Sequence, residues 1–277
     1  MTVTDAHHHV WDLSVRDQDW ITGPELRPLR RDFTLQDLEP EARAAGVGRT
    51  VLVQTVTVPE ETPEFLALAE QHDLIAGVVG WTDLTRPDVA AELARLRELP
   101  GGRYLKGIRH QVQGEADPGW LLRPDVLRGL AAVAAAGLVY DLVVLPHQLP
   151  ACVRAAAALP GLTFVLDHLG KPPVATGALE PWASGLRALA ALPNTVAKLS
   201  GLATEADPAS WTVEDLRPYA DVALEAFGPG RLMYGSDWPV STLAGTYGGI
   251  LDATRRLTGP RDHAQILDTT AARVYGL

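Results

Sequence analysis

The sequence predicts an α/β protein folded as a single (β/α)8 TIM-type barrel over residues 1–277. Short strand-like apolar runs alternate with longer helix-like segments almost from end to end. Polar residues gather where the apolar runs finish, and no low-complexity linker divides the chain. With 277 residues and 47% apolar content, the chain can fill one barrel of ordinary size or two smaller domains, and the unbroken alternation favours one.

In chain order, the strand-like runs are Val3–Val10, Thr50–Val56, Leu74–Trp81, Tyr104–His110, Leu138–Leu145, Leu162–His168, Thr195–Ser200 and Leu232–Asp237. Helical patterns fill the intervals: Leu35–Ala45, Thr62–His72, Asp88–Leu99, Pro124–Ala136, Leu149–Leu159, Glu180–Leu192, Val213–Phe227 and Tyr247–Leu257, with Asp262–Tyr275 as a tail helix. Thr34 stands at the start of the first helix, and Pro40 inside it predicts a kink. Gly46, Gly137, Gly161 and Gly228 fall where helices should stop, and Pro160 and Pro193 follow helical runs. Eight strands alternating with eight helices require parallel pairing through right-handed crossovers. An open doubly wound sheet meets the same pattern, but no Gly-x-Gly-x-x-Gly follows the first strand and no P-loop is present, so the closed barrel is preferred.

Bulk properties narrow the function. A formal net charge of −10 argues against nucleic acid or an anionic membrane surface as the main partner and leaves a small molecule. The single cysteine, Cys152, sits in the alanine-rich ACVRAAAAL stretch and reads as a buried apolar residue, not a nucleophile. MTVTDAHHHVW carries no secretory pattern and no run approaches the roughly 18 apolar residues of a membrane span, so a cytoplasmic protein is expected.

The ends of the strand-like runs carry the chemistry. The first ends in Asp5-Ala6-His7-His8-His9-Val10-Trp11, the fourth in Lys106-Gly107-Ile108-Arg109-His110, and the fifth is followed by Pro146-His147-Gln148. The sixth ends in Asp167-His168-Leu169-Gly170-Lys171, the seventh in Lys198-Leu199-Ser200-Gly201, and the eighth in Gly235-Ser236-Asp237-Trp238-Pro239. In a barrel these ends converge on one face. Period-two alternation sets His7 and His9 on one side of the first strand and His8 on the other, so two imidazoles can meet one ion or one substrate atom. Asp237 is placed to accept a proton from attacking water. Asp141 and Asp167 read as buried partners that orient histidines. Trp11, Trp81 and Trp238 offer either flat faces for a ring or apolar filling of the rim.

At DAHHHVWD, KGIRH, PHQLP, DHLGKP, KLSGL and GSDWPV the chain resembles the amidohydrolase superfamily, of the amidohydrolase 2 type. Within it, the resemblance is to the sugar-lactonase branch that includes L-fuconolactonase, L-rhamnonolactonase and pyrone dicarboxylate lactonase. The resemblance implies hydrolysis of the lactone ring of a sugar acid. It makes Asp237 the base, with His168, Arg109 and His110 beside it in catalysis. It lets His7, His9 and His168 either hold a divalent metal or hydrogen-bond the substrate directly, with His7, His9 and Asp237 as the expected metal set, and it places His147 in the pocket; Trp11, Lys171 and Trp238 complete the expected substrate-binding set. Binuclear members of the superfamily carry a bridging lysine carbamate or glutamate at the end of strand four. Here that end reads GIRH, with Lys106 several residues too early, so at most one divalent metal such as zinc is expected and a metal-free site is also compatible. The resemblance also leaves room for dicarboxylate lactone hydrolysis, metal-dependent decarboxylation or a non-catalytic ligand-binding barrel. A homodimer is a further expectation.

Overall fold

Eight parallel strands follow one another in sequence order around one sheet in the computed structural model, which describes residues 2–277. Met1, which opens the stretch read for a leader, lies outside the described residues. The strands are β1 Val3–His8, β2 Val47–Val53, β3 Ile75–Gly80, β4 Leu105–His110, β5 Val139–Leu142, β6 Phe164–Leu166, β7 Thr195–Leu199 and β8 Leu232–Tyr234. Their crossover helices are α1 Leu35–Ala44, α2 Glu61–Gln71, α3 Val89–Glu98, α4 Pro124–Ala135, α5 Leu149–Ala158, α6 Trp182–Ala190 and α7 Val213–Phe227, and α8 Tyr247–Leu257 follows β8. Closure comes just past the ends of β1 and β8. There Asp237 N–H donates to the His7 carbonyl (2.8 Å), His9 N–H donates to the Trp238 carbonyl (2.7 Å), and His8 bridges Trp238 in parallel.

Both strand faces are buried, which is why the strands read as apolar runs more than as alternations. Ala6, Val51, Val53, Val79, Val139, Val165, Val196 and Met233 fill the barrel interior. Ala271 and Tyr275 of the last helix, α9 Thr270–Tyr275, close it from below. The alternate residues, among them Leu52, Val78, Ile108, Tyr140, Phe164 and Tyr234, face the helix layer. Cys152 is buried on α5, as its surroundings predict.

Helix α1 continues through Pro40, which is exposed on the solvent side where the missing N–H leaves no buried carbonyl orphaned. Three expectations need correction. The tail is not one α-helix: a π-helical turn, Gln265–Thr269, precedes α9. Strands β1, β2, β5, β6 and β8 stop two or three residues early. For β6 and β8 the reason is visible, since the chain turns into left-handed backbone at His168 (φ 52°), Leu169 (φ 51°) and Asp237 (φ 56°). Finally, β1 carries a bulge: Asp5 pairs with Thr50 but His8 with Leu52, one extra residue on β1. Ala6 and His7 therefore both reach the interior, while His8 turns outward to Thr50 Oγ1 at 2.9 Å.

Candidate active site

Asp237 is surrounded by three imidazoles. Its Oδ1 lies 3.7 Å from His7 Nε2, 3.6 Å from His9 Nε2 and 3.8 Å from His168 Nε2. His7 Nε2 and His9 Nε2 are themselves 3.1 Å apart. Each ring is held from behind: His9 Nδ1 donates to the Val53 carbonyl (2.8 Å) and His168 Nδ1 meets Ser200 Oγ (2.8 Å). Backbone completes the clamp. A Cβ at Gly235 would lie 2.7 Å from His7 Cβ, and one at Gly201 (φ 68°) would lie 2.8 Å from His168 Nδ1. The left-handed Asp237 and His168 are the kind of backbone strain that functional sites retain.

Burial opposes ionisation of Asp237, but His168, His9 and His7 outweigh it and hold the carboxyl well below the usual carboxylate range. Burial pushes His168 down to about 4, with Asp237 pulling partly the other way. His7 lies well below the ordinary histidine value, through burial and then Lys198. At neutral pH the cluster is therefore one carboxylate with neutral His7 and His168 rings.

The donor set suits a divalent cation. His7, His168 and Asp237 each offer one ligand atom within 4.8 Å of the others, two imidazole nitrogens and a carboxylate oxygen. This grouping brings in His168 where the sequence expected His9. His9 stays alongside, its Nε2 3.6 Å from Asp237 Oδ1 and its Nδ1 donating to the Val53 carbonyl.

Beneath the cluster lies a layer of buried charge. Arg109 donates from Nε to Gln54 Oε1 (2.9 Å), from Nη2 to the Gln54 carbonyl, and from Nη1 to Asp167 Oδ2 (3.0 Å). Lys198 Nζ sits 2.5 Å from Asp141 Oδ2, 2.9 Å from Asp167 Oδ1 and 3.1 Å from His7 Nδ1. The hydroxyl of Tyr275 donates to Asp141 Oδ2 at 2.8 Å. Burial pushes Asp141 up to about 6; in Asp167 the same burial is overcome by Lys198, His7 and Arg109, which hold it well below the usual range.

A cavity of about 310 Å³ opens over the cluster, lined by His9, Arg109, His168, Lys171 and Asp237 from the predicted set. Trp20, Leu26, Thr55, Gln111, Gln113, Thr204 and Glu205 join them. Lys171 is paired with Glu205 (3.6 Å), whose carboxyl is raised by burial. Four expected residues stand elsewhere. His110, adjacent to Arg109 on β4, faces the opposite side. It stacks on Trp120 at 4.2 Å, accepts from Trp81 Nε1 (3.0 Å) and meets Glu115 (2.7 Å). His147 is exposed in the turn Pro146–Gln148, and the buried polar residue of that motif is Gln148, which donates to the Val112 carbonyl. Trp11 and Trp238 are buried in an edge-to-face file, Trp238 against Phe33 (5.5 Å), Phe33 against Trp11 (5.2 Å) and Trp11 against Trp20 (5.6 Å). Of that file only Trp20 reaches the cavity, so the expected pair supports the tryptophan that lines it.

Sequence reasoning passed over Trp20, Gln111 and Gln113 as individual residues. Trp20 lies in a long loop between β1 and α1, a position that periodicity does not read. Gln111 continues the inward parity of Arg109, and that signal was available in the sequence.

The sequence profile of the family described as amidohydrolase matches residues 4–277. The chain is 40% identical to an L-fucono-1,5-lactonase of Burkholderia ambifaria, over 98% of this chain and 94% of that protein. It is also 40% identical to an L-fucono-1,5-lactonase of Burkholderia multivorans, over 99% and 95%. A crystal structure of an amidohydrolase from Burkholderia multivorans with bound zinc superposes with a TM-score of 0.92 at 39% identity, covering all of both chains.

Proposed function

The chain belongs to the amidohydrolase family, and from that premise we propose that it is a hydrolase that opens the lactone ring of a sugar acid such as L-fuconolactone. The carrying observation is a single ionised carboxylate, Asp237, facing three imidazoles at the floor of a cavity large enough for a small substrate. The 40% identity to two L-fucono-1,5-lactonases along nearly the whole chain supports the choice of bond.

Asp237 takes a proton from water as the water oxygen bonds to the lactone carbonyl carbon. Arg109, locked by Gln54 and Asp167, supplies a fixed positive charge to the cavity wall for the developing oxyanion. When the ring C–O bond breaks, the proton held by Asp237 passes to the departing alkoxide, which leaves the open hydroxy acid. His7, His168 and Asp237, with His9 beside them, would hold one zinc ion, which would lower the pKa of bound water and polarise the carbonyl. Lys106, the nearest lysine of β4, points away to the Gly276 carbonyl (3.0 Å), which supports one ion and not two.

Lys171, Gln111, Gln113 and Trp20 are the groups we assign to substrate hydroxyls and the ring face. Both cavity cations are already paired, Arg109 with Asp167 and Lys171 with Glu205, which favours a neutral polyol lactone over a dicarboxylate. We also take residues 1–277 as one domain, acting in the cytoplasm as a homodimer; sedimentation velocity would check the last of these. None of the helices among the described residues is long and apolar enough to cross a membrane. Acid release from a panel of neutral and carboxylated aldonolactones, followed with a pH indicator with and without chelator, tests the proposal. Turnover confined to carboxylated lactones, or absent from all of them in folded zinc-supplemented protein, would refute it.

A further inference from the structure

Lys198 is fully buried inside the barrel, one layer below the site, and its three close partners are Asp141, Asp167 and His7. An ammonium group has only donors, so its contact with His7 Nδ1 at 3.1 Å requires a lone pair on that nitrogen. A neutral His7 then carries its proton on Nε2. The neighbour there agrees: His9 donates from Nδ1 to the Val53 carbonyl, which leaves His9 Nε2 as an acceptor 3.1 Å from His7 Nε2. The file Lys198, His7, His9, Val53 is satisfied in this direction through contacts of 3.1, 3.1 and 2.8 Å, whereas the reverse assignment rests on the longer contacts of His7 Nε2 with Arg109 Nη1 (3.4 Å) and of His7 Nδ1 with Asp167 Oδ1 (3.3 Å).

That direction conflicts with holding a cation. With a proton on Nε2, His7 has no lone pair to offer to the cluster it forms with His168 and Asp237. For His7 to become a ligand, a proton must leave Nε2 and another must arrive on Nδ1, so the ring stays neutral. The new Nδ1–H needs an acceptor, and one is waiting. Asp167 Oδ1, already paired with Lys198 Nζ at 2.9 Å, lies 3.3 Å from His7 Nδ1 and has a further lone pair to offer.

We infer that Lys198 and Asp167 are opposed positioning residues that select the tautomer of His7. Lys198 holds the metal-free form with the proton on Nε2; Asp167 Oδ1 receives the Nδ1 proton of the cation-binding form. Asp141, bound on its other side by Tyr275, fixes Lys198 between the two. The inference rests on reading the histidine–aspartate cluster as a cation site, and its test uses no lactone, so its failure is separate from failure of the lactonase reading.

The test has two arms on the full chain. Long-range proton–nitrogen correlation spectra of metal-free protein report each histidine tautomer, with His7 identified by its loss in His7→Gln. Competition with a chromophoric chelator gives the affinity for zinc. Wild type should show the Nε2–H form at His7. Lys198→Met should move it to Nδ1–H and tighten zinc about tenfold, and Asp167→Asn should keep Nε2–H and weaken zinc by about tenfold or more. If Lys198→Met does not fold, the wild-type spectrum and Asp167→Asn suffice; if wild type takes up no zinc, the spectrum alone decides. An Nδ1–H tautomer in metal-free wild type, or zinc affinity unchanged in either folded variant, would overturn the inference.

Discussion

Gly235 is where the backbone of β8 presses hardest on the site. A methyl group there would lie 2.7 Å from His7 Cβ and 3.3 Å from Ser200 Cβ, inside a fully buried layer. Ordinary carbon–carbon contact is about 3.5 Å, so Gly235→Ala forces a separation of about 0.8 Å. His7 Cβ is fixed by its own backbone, so relief requires β1 to shift against β8, to which the Asp237–His7 backbone bond ties it, and the imidazole is carried along. A misplacement near 1 Å costs on the order of 100-fold in rate, so kcat should fall about 30- to 100-fold, or roughly 2–3 kcal/mol of barrier. Overpacking should also lower stability by about 1–3 kcal/mol. The assay is steady-state lactone hydrolysis with the folded fraction set by circular dichroism. Gly230→Ala serves as control, since its nearest neighbour to a new Cβ is Gln265 Oε1 at 3.9 Å. A Gly235→Ala enzyme with wild-type kcat, or a loss matched by Gly230→Ala, would refute the reasoning.

Other outcomes follow from the same geometry. Glu61, buried at the start of α2 and bonded to Thr55 and to Val56 N–H, is raised by burial to about 7 from 4.5. A raised carboxyl stabilises the fold fully below about pH 4.5 and loses that contribution as pH rises through about 7, a span of about 3 kcal/mol. Urea unfolding should therefore show Glu61→Gln gaining on wild type between pH 5 and pH 8.5, and a constant difference would contradict the assignment. Glu205→Gln frees Lys171 and should improve kcat/KM for a carboxylated lactone relative to a neutral one by about tenfold; an unchanged ratio would remove Lys171 from the selectivity account. His110→Gln should keep kcat within about threefold while lowering the melting temperature, because His110 packs on Trp120 outside the cavity. A hundredfold loss of kcat in that variant would return His110 to the chemistry.

The barrel was legible because its strands are buried on both faces and its helices are amphipathic, two periods that local sequence carries without tertiary information. The site was half legible. His7, His9, His168, Arg109 and Asp237 stand at strand ends, and the barrel alone brings strand ends together. The alternation that separated His8 from His7 and His9 would equally have separated His110 from Arg109, had it been applied to β4. It would also have grouped Val139 with Asp141, Val165 with Asp167 and Val196 with Lys198, an inward layer of charges on three consecutive strands. Trp11 and Trp238 were misjudged because an aromatic at a rim can face either the cavity or its neighbours, and only the packed file through Phe33 decides. The β1 bulge and the π-helical turn before α9 leave no mark in composition; both are set by how the chain must fit its neighbours.

The most direct test of the account is Asp237→Asn, assayed for acid release from L-fuconolactone and other neutral aldonolactones beside wild type. The amide keeps the shape of the carboxylate and cannot take the proton of water, so turnover should fall by about 1000-fold or more while the folded fraction stays within a few per cent of wild type. Hydrolysis within tenfold of wild type in the folded variant would show that Asp237 is not the base and would contradict the mechanism.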